Sequence, residues 1–258
     1  MKRKTLVAIA VFVFFNAGFL TEFAQAEDNL CYQTGFERPD FLPGQLNGQQ
    51  QWLNPTKTAL ISDYAPYDGF QSIRAFGNKL NPISPELVGT AFGRLTVFDA
   101  SGKTVDVSVD AFLDGPSTAT SMSPNPNDDL ISANLHLILA DALINDVDIG
   151  WLLLSSSGHV WILDHAGSYR AVAPIDLNAY HRLAARINFE MKEVEFYVDD
   201  SFVTTLPIPD SVNTNIFAIG ALELIAVNDK KVLNRNLYKA YFDNYCGSTA
   251  SCPFQCIQ

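Results

Sequence analysis

Residues 104–112, TVDVSVDAF, place apolar side chains at every second position, the period of a strand with one buried and one wet face. Residues 185–189 and 194–198 repeat the pattern on either side of Glu190-Met191-Lys192-Glu193, which predicts a hairpin. Asp199-Asp200-Ser201 then turns the chain into a third strand at 202–206. Further strands are predicted at 147–154, 160–164, 216–225 and 237–245. Residues 130–145 are apolar enough for a helix, yet His136-Leu137-Ile138-Leu139 suits a buried strand equally well, because short apolar runs fit both periods. Residues 115–129 are polar and carry prolines, which predicts a surface loop. Short strands separated by turn signals predict an all-β sandwich or barrel.

The start of the chain breaks this pattern. Met1-Lys2-Arg3-Lys4 is basic, an apolar run follows, and Ala24-Gln25-Ala26 offers the small residues of a cleavage site. Residues 1–26 are therefore expected to be a secretory signal peptide cut after Ala26. No cysteine follows the cut directly, so no lipid attachment is expected, and no later segment is long and apolar enough to span a bilayer. The expected product is exported and does not insert in membranes. About 230 residues remain, room for one β domain at 27–246 and a cysteine-containing tail at 247–258.

Charge narrows the partners. The chain carries -11, and the leader holds three bases and one acid, so the remainder stands near -13. With no basic patch to release counterions, a nucleic-acid partner is not expected. The four cysteines, Cys31, Cys246, Cys252 and Cys256, favour disulfides in an exported chain over a zinc site, since no histidine lies near Cys252 or Cys256. Three pairings are open.

A family resemblance rests on four pieces in order. Phe36-Glu37, then Pro43-Gly44-Gln45-Leu46-Asn47-Gly48-Gln49 with Trp52, resembles the opening of concanavalin A-like, laminin-G-like jelly-roll domains of exported bacterial proteins. Gly69-Phe70-Gln71-Ser72-Ile73-Arg74 is similar to a strand of that family. Tyr180-His181-Arg182-Leu183 with Val194–Asp200 resembles its central hairpin, although Tyr180 replaces the usual Trp and Asp200 the usual Gly. Tyr241-Phe242-Asp243-Asn244 resembles its terminal strand. The resemblance implies a two-sheet antiparallel jelly-roll sandwich with its first and last strands side by side. It thereby implies a Cys31–Cys246 disulfide, with Cys252–Cys256 as the second. It also implies a structural calcium ion at Glu37 and Asp243, hard oxygen donors of the kind calcium takes. The alternative for these acids is exposure, or hydrogen bonds from loop amides.

Catalytic patterns are sparse. The E-x-D-x-E strand of jelly-roll glucanases is absent, and no Gln-x-His supplies the base of an alginate-lyase-like site, although Arg74 and the Tyr238–Tyr241 segment superficially resemble two other strands of such a site. Asp146/Asp148 and Glu193/Glu195 each share a strand face, as solvated faces commonly do. A Ser155–Ser157, His159, Asp164 triad can be drawn, without diagnostic spacing. Among the tryptophans, Trp151 and Trp161 are expected in the core, whereas Trp52 closes a loop and is a candidate for stacking on a sugar. The sequence thus points to a non-catalytic domain binding a glycan or a cell-surface protein. The alternatives are a hydrolase or lyase acting on polysaccharide, and a structural or host-interaction protein.

Overall fold

The structure, a computed structural model, describes residues 31–54, 59–76, 87–94, 97–98, 102–114, 131–141, 146–177, 179–210, 217–227 and 239–249. The expected signal peptide, the 115–129 loop, Cys252 and Cys256 lie outside these residues. Seventeen strands run in chain order as β1 (Cys31–Thr34), β2 (Gly44–Gln45), β3 (Trp52–Leu53), β4 (Ala59–Ser62), β5 (Ser72–Phe76), β6 (Leu87–Arg94), β7 (Val97–Phe98) and β8 (Thr104–Asp114). They continue as β9 (Ile131–Asp141), β10 (Asp146–Ser155), β11 (His159–Asp164), β12 (Tyr169–Pro174), β13 (His181–Asn188), β14 (Glu193–Val198), β15 (Ser201–Pro207), β16 (Phe217–Val227) and β17 (Lys239–Thr249).

Of the stretch 130–145, ambiguous by period, residues Ile131–Asp141 resolve as strand β9. Its alternate residues Ala133, Leu135 and Leu137 enter the core. Asn134 and His136 take the opposite face, an arrangement that a period of two requires and a helix would not give. The last strand continues to Thr249, three residues past the boundary expected at 246.

The strands form two antiparallel sheets. Nine belong to the first, in the order β15-β14-β13-β8-β17-β5-β4-β2 with β1 also paired to β17. Eight belong to the second, in the order β12-β11-β10-β9-β16-β6-β3 with β7 paired to β16. Inward residues of both sheets meet in one apolar cluster, including Val105, Val107 and Val109 of β8, Leu135 of β9 and Leu152 of β10. The two-layer solution follows from chemistry, since a sheet with one apolar face must cover it with another layer. β1 and β5 both lie on the same edge of β17, β1 beside its C-terminal half and β5 beside its N-terminal half. The first and last strands are therefore neighbours.

One expectation needs correction. The polar face of β8 is not wet: Asp106, Ser108 and Asp110 are all buried. Arginines from β13 cover the acids, with Arg182 opposite Asp110 and Arg186 opposite Asp106.

Candidate functional site

Glu37 and Asp243 converge on the loop between β4 and β5. Oε1 of Glu37 accepts the backbone N–H groups of Phe70 at 2.6 Å and Gln71 at 2.8 Å. Oδ2 of Asp243 accepts those of Tyr67 at 3.0 Å and Asp68 at 3.3 Å. Hydrogen bonding to loop amides, the alternative weighed for these acids, is thus present at both. Ser72 Oγ donates to the Tyr64 and Ala65 carbonyls, and Tyr180 Oη donates to the Ala65 carbonyl at 2.5 Å. At φ +69° Gly69 lets the loop close on Glu37, and a Cβ there would lie 2.3 Å from Oε1. Four side chains and one glycine fix this loop.

Asp243 is fully buried, and burial pushes its carboxyl up from 3.8 to about 6, against the pull of three backbone N–H donors. A bulge in β17 between Asp243 and Cys246 interrupts the ladder, and Asn244 takes φ +47° there. Its Nδ2 donates to Asp110 Oδ2 at 2.9 Å. Its Oδ1 turns towards Gly35, where an added Cβ would lie 3.4 Å from it, 3.7 Å from Glu37 Cγ and 3.9 Å from Asp243 Oδ1. These donors fit calcium in kind. They fall short in number, for among the described residues no three acids, histidines or cysteines are grouped to hold a metal. An ion there would need Glu37, Asp243 and Asn244 Oδ1 supplemented by main-chain carbonyls.

Cys246 is disulfide-bonded. In the ladder it stands opposite Gln33, with Cys31 two positions along opposite Ser248. The two cysteines are thus offset by two positions along neighbouring strands.

Trp52 is a correction. It is fully buried and packs edge-on against Phe36 and Tyr245, with its Nε1 donating to Tyr32 Oη at 3.1 Å. No face of it is open to a ligand. Trp151 and Trp161 are buried as expected, but on the outer face of the eight-stranded sheet rather than in the cluster between the sheets. Trp151 stacks on His136 there, ring centroids 3.8 Å apart.

An aromatic surface lies instead on the outer face of the nine-stranded sheet, beside the fixed loop. Tyr67 contacts Tyr180, Tyr180 contacts Phe112, Phe112 contacts Tyr241, and Tyr241 contacts Tyr64, with centroid separations of 5.1, 5.4, 5.9 and 5.7 Å. The loop presents Tyr64 58%, Tyr67 55% and Phe70 81% exposed, a high exposure for aromatics held this firmly. Arg74 lies opposite Tyr241 in the ladder, its Cζ 5.8 Å from the Tyr64 ring centroid. Tyr241 is itself buried, its Oη has no hydrogen-bond partner, and burial pushes its hydroxyl up to about 12. Sequence reading missed this strip because its members come from four distant segments. The one available signal was the run of aromatics at Tyr64, Tyr67 and Phe70.

The drawn triad does not assemble. His159 and Asp164 sit at opposite ends of β11, and Asp164 Oδ1 accepts the Ala166 and Ser168 amides in a turn. Ser157 Oγ donates to Ser155 Oγ and accepts from Trp161 Nε1. Glu195 Oε2 accepts the Tyr197 hydroxyl at 2.6 Å. Sequence reading also missed His181, whose Nδ1 meets Asp199 Oδ2 at 2.7 Å and Nε2 the Asp176 carbonyl at 2.6 Å. Both partners are acceptors, so the pair holds the β13–β14 end together.

No family model matches the chain, and no curated protein sequence matches it. Solved structures supply the comparison. An endo-1,3-beta-glucanase from Streptomyces sioyaensis, 11% identical, aligns over 90% of this chain and 100% of its own with a TM-score of 0.55. Arcelin-5 of Phaseolus vulgaris, a lectin-like defence protein, is 4% identical and aligns over 86% of this chain and 99% of its own with a TM-score of 0.52. A sialidase aligns with 78% of this chain at 12% identity and a TM-score of 0.46, and the chain spans 17% of its length. The similarities to the glucanase and to arcelin-5 establish a concanavalin A-like jelly-roll sandwich. At such identities they establish the fold alone.

Proposed function

We propose that this is an exported, non-catalytic carbohydrate-binding domain whose ligand lies along the Tyr64–Tyr67–Phe70 surface. The observation that carries the reading is a set of exposed aromatics on a loop fixed from below by Glu37, Asp243, Ser72 and Tyr180. Sugar rings stack on flat apolar faces with polar edges, and a loop already ordered loses little entropy on binding. Support comes also from a fold shared with a glucanase and a lectin-like protein. Glu37 and Asp243 then serve the site indirectly, by holding the loop, with calcium as a reinforcement on the Gly35 side.

The test is glycan binding followed by affinity electrophoresis or calorimetry. Tyr64→Ala and Tyr67→Ala should each weaken binding about tenfold, near 1.4 kcal/mol, without moving the unfolding midpoint. Failure of the domain to bind any glycan, or full affinity in both variants, would sink the reading. Polysaccharide cleavage that disappears in Asp148→Asn or Glu195→Gln would replace it with an enzymatic one.

A further inference from the structure

We propose that the sugar held on this strip carries a carboxylate, and that Arg74 is the residue that binds it. The inference rests on the carbohydrate reading above and adds the chemical class of the ligand. Five arginines stand in described strands: Arg74, Arg94, Arg170, Arg182 and Arg186. Four of them donate to a protein acceptor: Arg94 to Gln50 O, Arg170 to Thr204 Oγ1, Arg182 to Asp110 and Arg186 to Asp106. Arg74 donates to nothing among the described residues, and its Nε is buried without a partner.

The register explains this isolation. Across β4 Arg74 faces Leu60 and across β17 it faces Tyr241, so neither neighbour offers a carboxylate. Asp243, two residues along β17 from Tyr241 on the same face, is taken up by the Tyr67, Asp68 and Asn244 amides, and Asp114 on β8 is set opposite Lys239. Beside Arg74 the Tyr241 hydroxyl is also buried and unpartnered. Two polar groups that can donate, Nε–H and Oη–H, therefore sit without acceptors at the edge of an aromatic surface. Leaving such groups unpaired is costly, and a ligand that brings acceptor oxygens relieves the cost. A guanidinium matches the geometry of a carboxylate, and the adjacent exposed ring of Tyr64 suits a sugar. Uronic acids combine these two features in one unit. In a chain of net charge -11, an arginine with no ion-pair partner among the described residues is a specific feature, not a general basic surface.

Polygalacturonate and its fully methyl-esterified form separate charge from ring shape, and binding of each is measured by calorimetry at fixed ionic strength. The wild type should prefer the free acid by about tenfold, as a charge-assisted bidentate contact allows. Arg74→Gln should abolish that preference while the ester binds within about twofold of wild type, with an unchanged unfolding midpoint as the folding control. Equal wild-type binding of acid and ester would overturn the carboxylate inference and leave the carbohydrate reading standing. A preference that survives Arg74→Gln would overturn the assignment to Arg74. Absence of binding to either polymer and to every neutral glycan would overturn both readings.

Discussion

The outer face of the nine-stranded sheet has two halves that use the same residue types differently. Over β8, β13 and β14, each cation meets an acid: Arg182 with Asp110, Arg186 with Asp106. Over β5 and β17, Arg74 meets aromatic rings, and Asp243 has only amides as donors although it stands directly opposite Asp110. The first half is closed electrostatically within itself. In the second, Asp243 and Arg74 have no ion-pair partner among the described residues, and the loop carrying the exposed aromatics touches both. A sheet face built only for stability would have no reason to leave these charges apart, because unpaired buried charge is expensive.

The largest expected effect comes from Asp243. Its native carboxyl titrates near 6 against 3.8 in the unfolded chain, so the folded protein binds a proton over that interval. The stabilisation from this group is fully present below pH 3.8 and is lost as pH rises through about 6. At the limit this amounts to about 3 kcal/mol. Denaturant unfolding of wild type and Asp243→Asn between pH 4 and 7 should give curves that diverge with that sign. A calcium ion at Glu37, Asp243 and Asn244 would favour the charged carboxylate, so adding calcium should raise wild-type stability at pH 7 and flatten its slope. Parallel curves for the two proteins would remove the uncompensated acid from the comparison, and a chelator without effect on metal-loaded protein would remove the ion.

Next in size is Asp110, which tests the closed half. Its buried carboxylate accepts from Arg182 Nε at 3.2 Å and from Asn244 Nδ2 at 2.9 Å. Asp110→Ala strands both donors. Because the Arg182 side chain is 38% exposed, the cost is discounted to about 2 kcal/mol, and easing the repulsion on Asp243 returns part of it. Sugar affinity should hardly change. A stability loss under about 0.5 kcal/mol would mean that the paired half is an ordinary surface ion pair.

The sandwich was readable because its strands keep the two-residue period: β8, β13, β14 and β15 fall where alternation placed them. β9 was ambiguous because Leu135 and Leu137 fit either period, and only pairing with β10 and β16 decides it. Glu37 and Asp243 were readable as a pair because adjacency of the chain ends brings them to one place. The amides they hold were not, since those depend on the path of the β4–β5 loop. Trp52 misled because position beside a turn says nothing about which way an indole points. The aromatic strip was beyond reach for a different reason: Phe112, Tyr180 and Tyr241 meet only through the register of β17 on β8 and the approach to β13.

The smallest effect is the sharpest test of that strip. Tyr180 and Tyr241 flank Phe112, but Tyr180 Oη donates to the Ala65 carbonyl whereas Tyr241 Oη has no partner. Removing a satisfied hydroxyl should cost about 1 kcal/mol, so Tyr180→Phe should lower stability and loosen the loop. Tyr241→Phe deletes a hydroxyl that is buried without compensation, and it should leave stability unchanged within about 0.5 kcal/mol or raise it. If the hydroxyl is kept for a ligand, the same substitution should weaken binding of the uronic-acid polymer while the methyl ester is held as before. A Tyr241→Phe protein that is clearly less stable than wild type would mean that the hydroxyl has a structural partner, and Arg74 Nε would then be the unpartnered donor left beside it among the described residues.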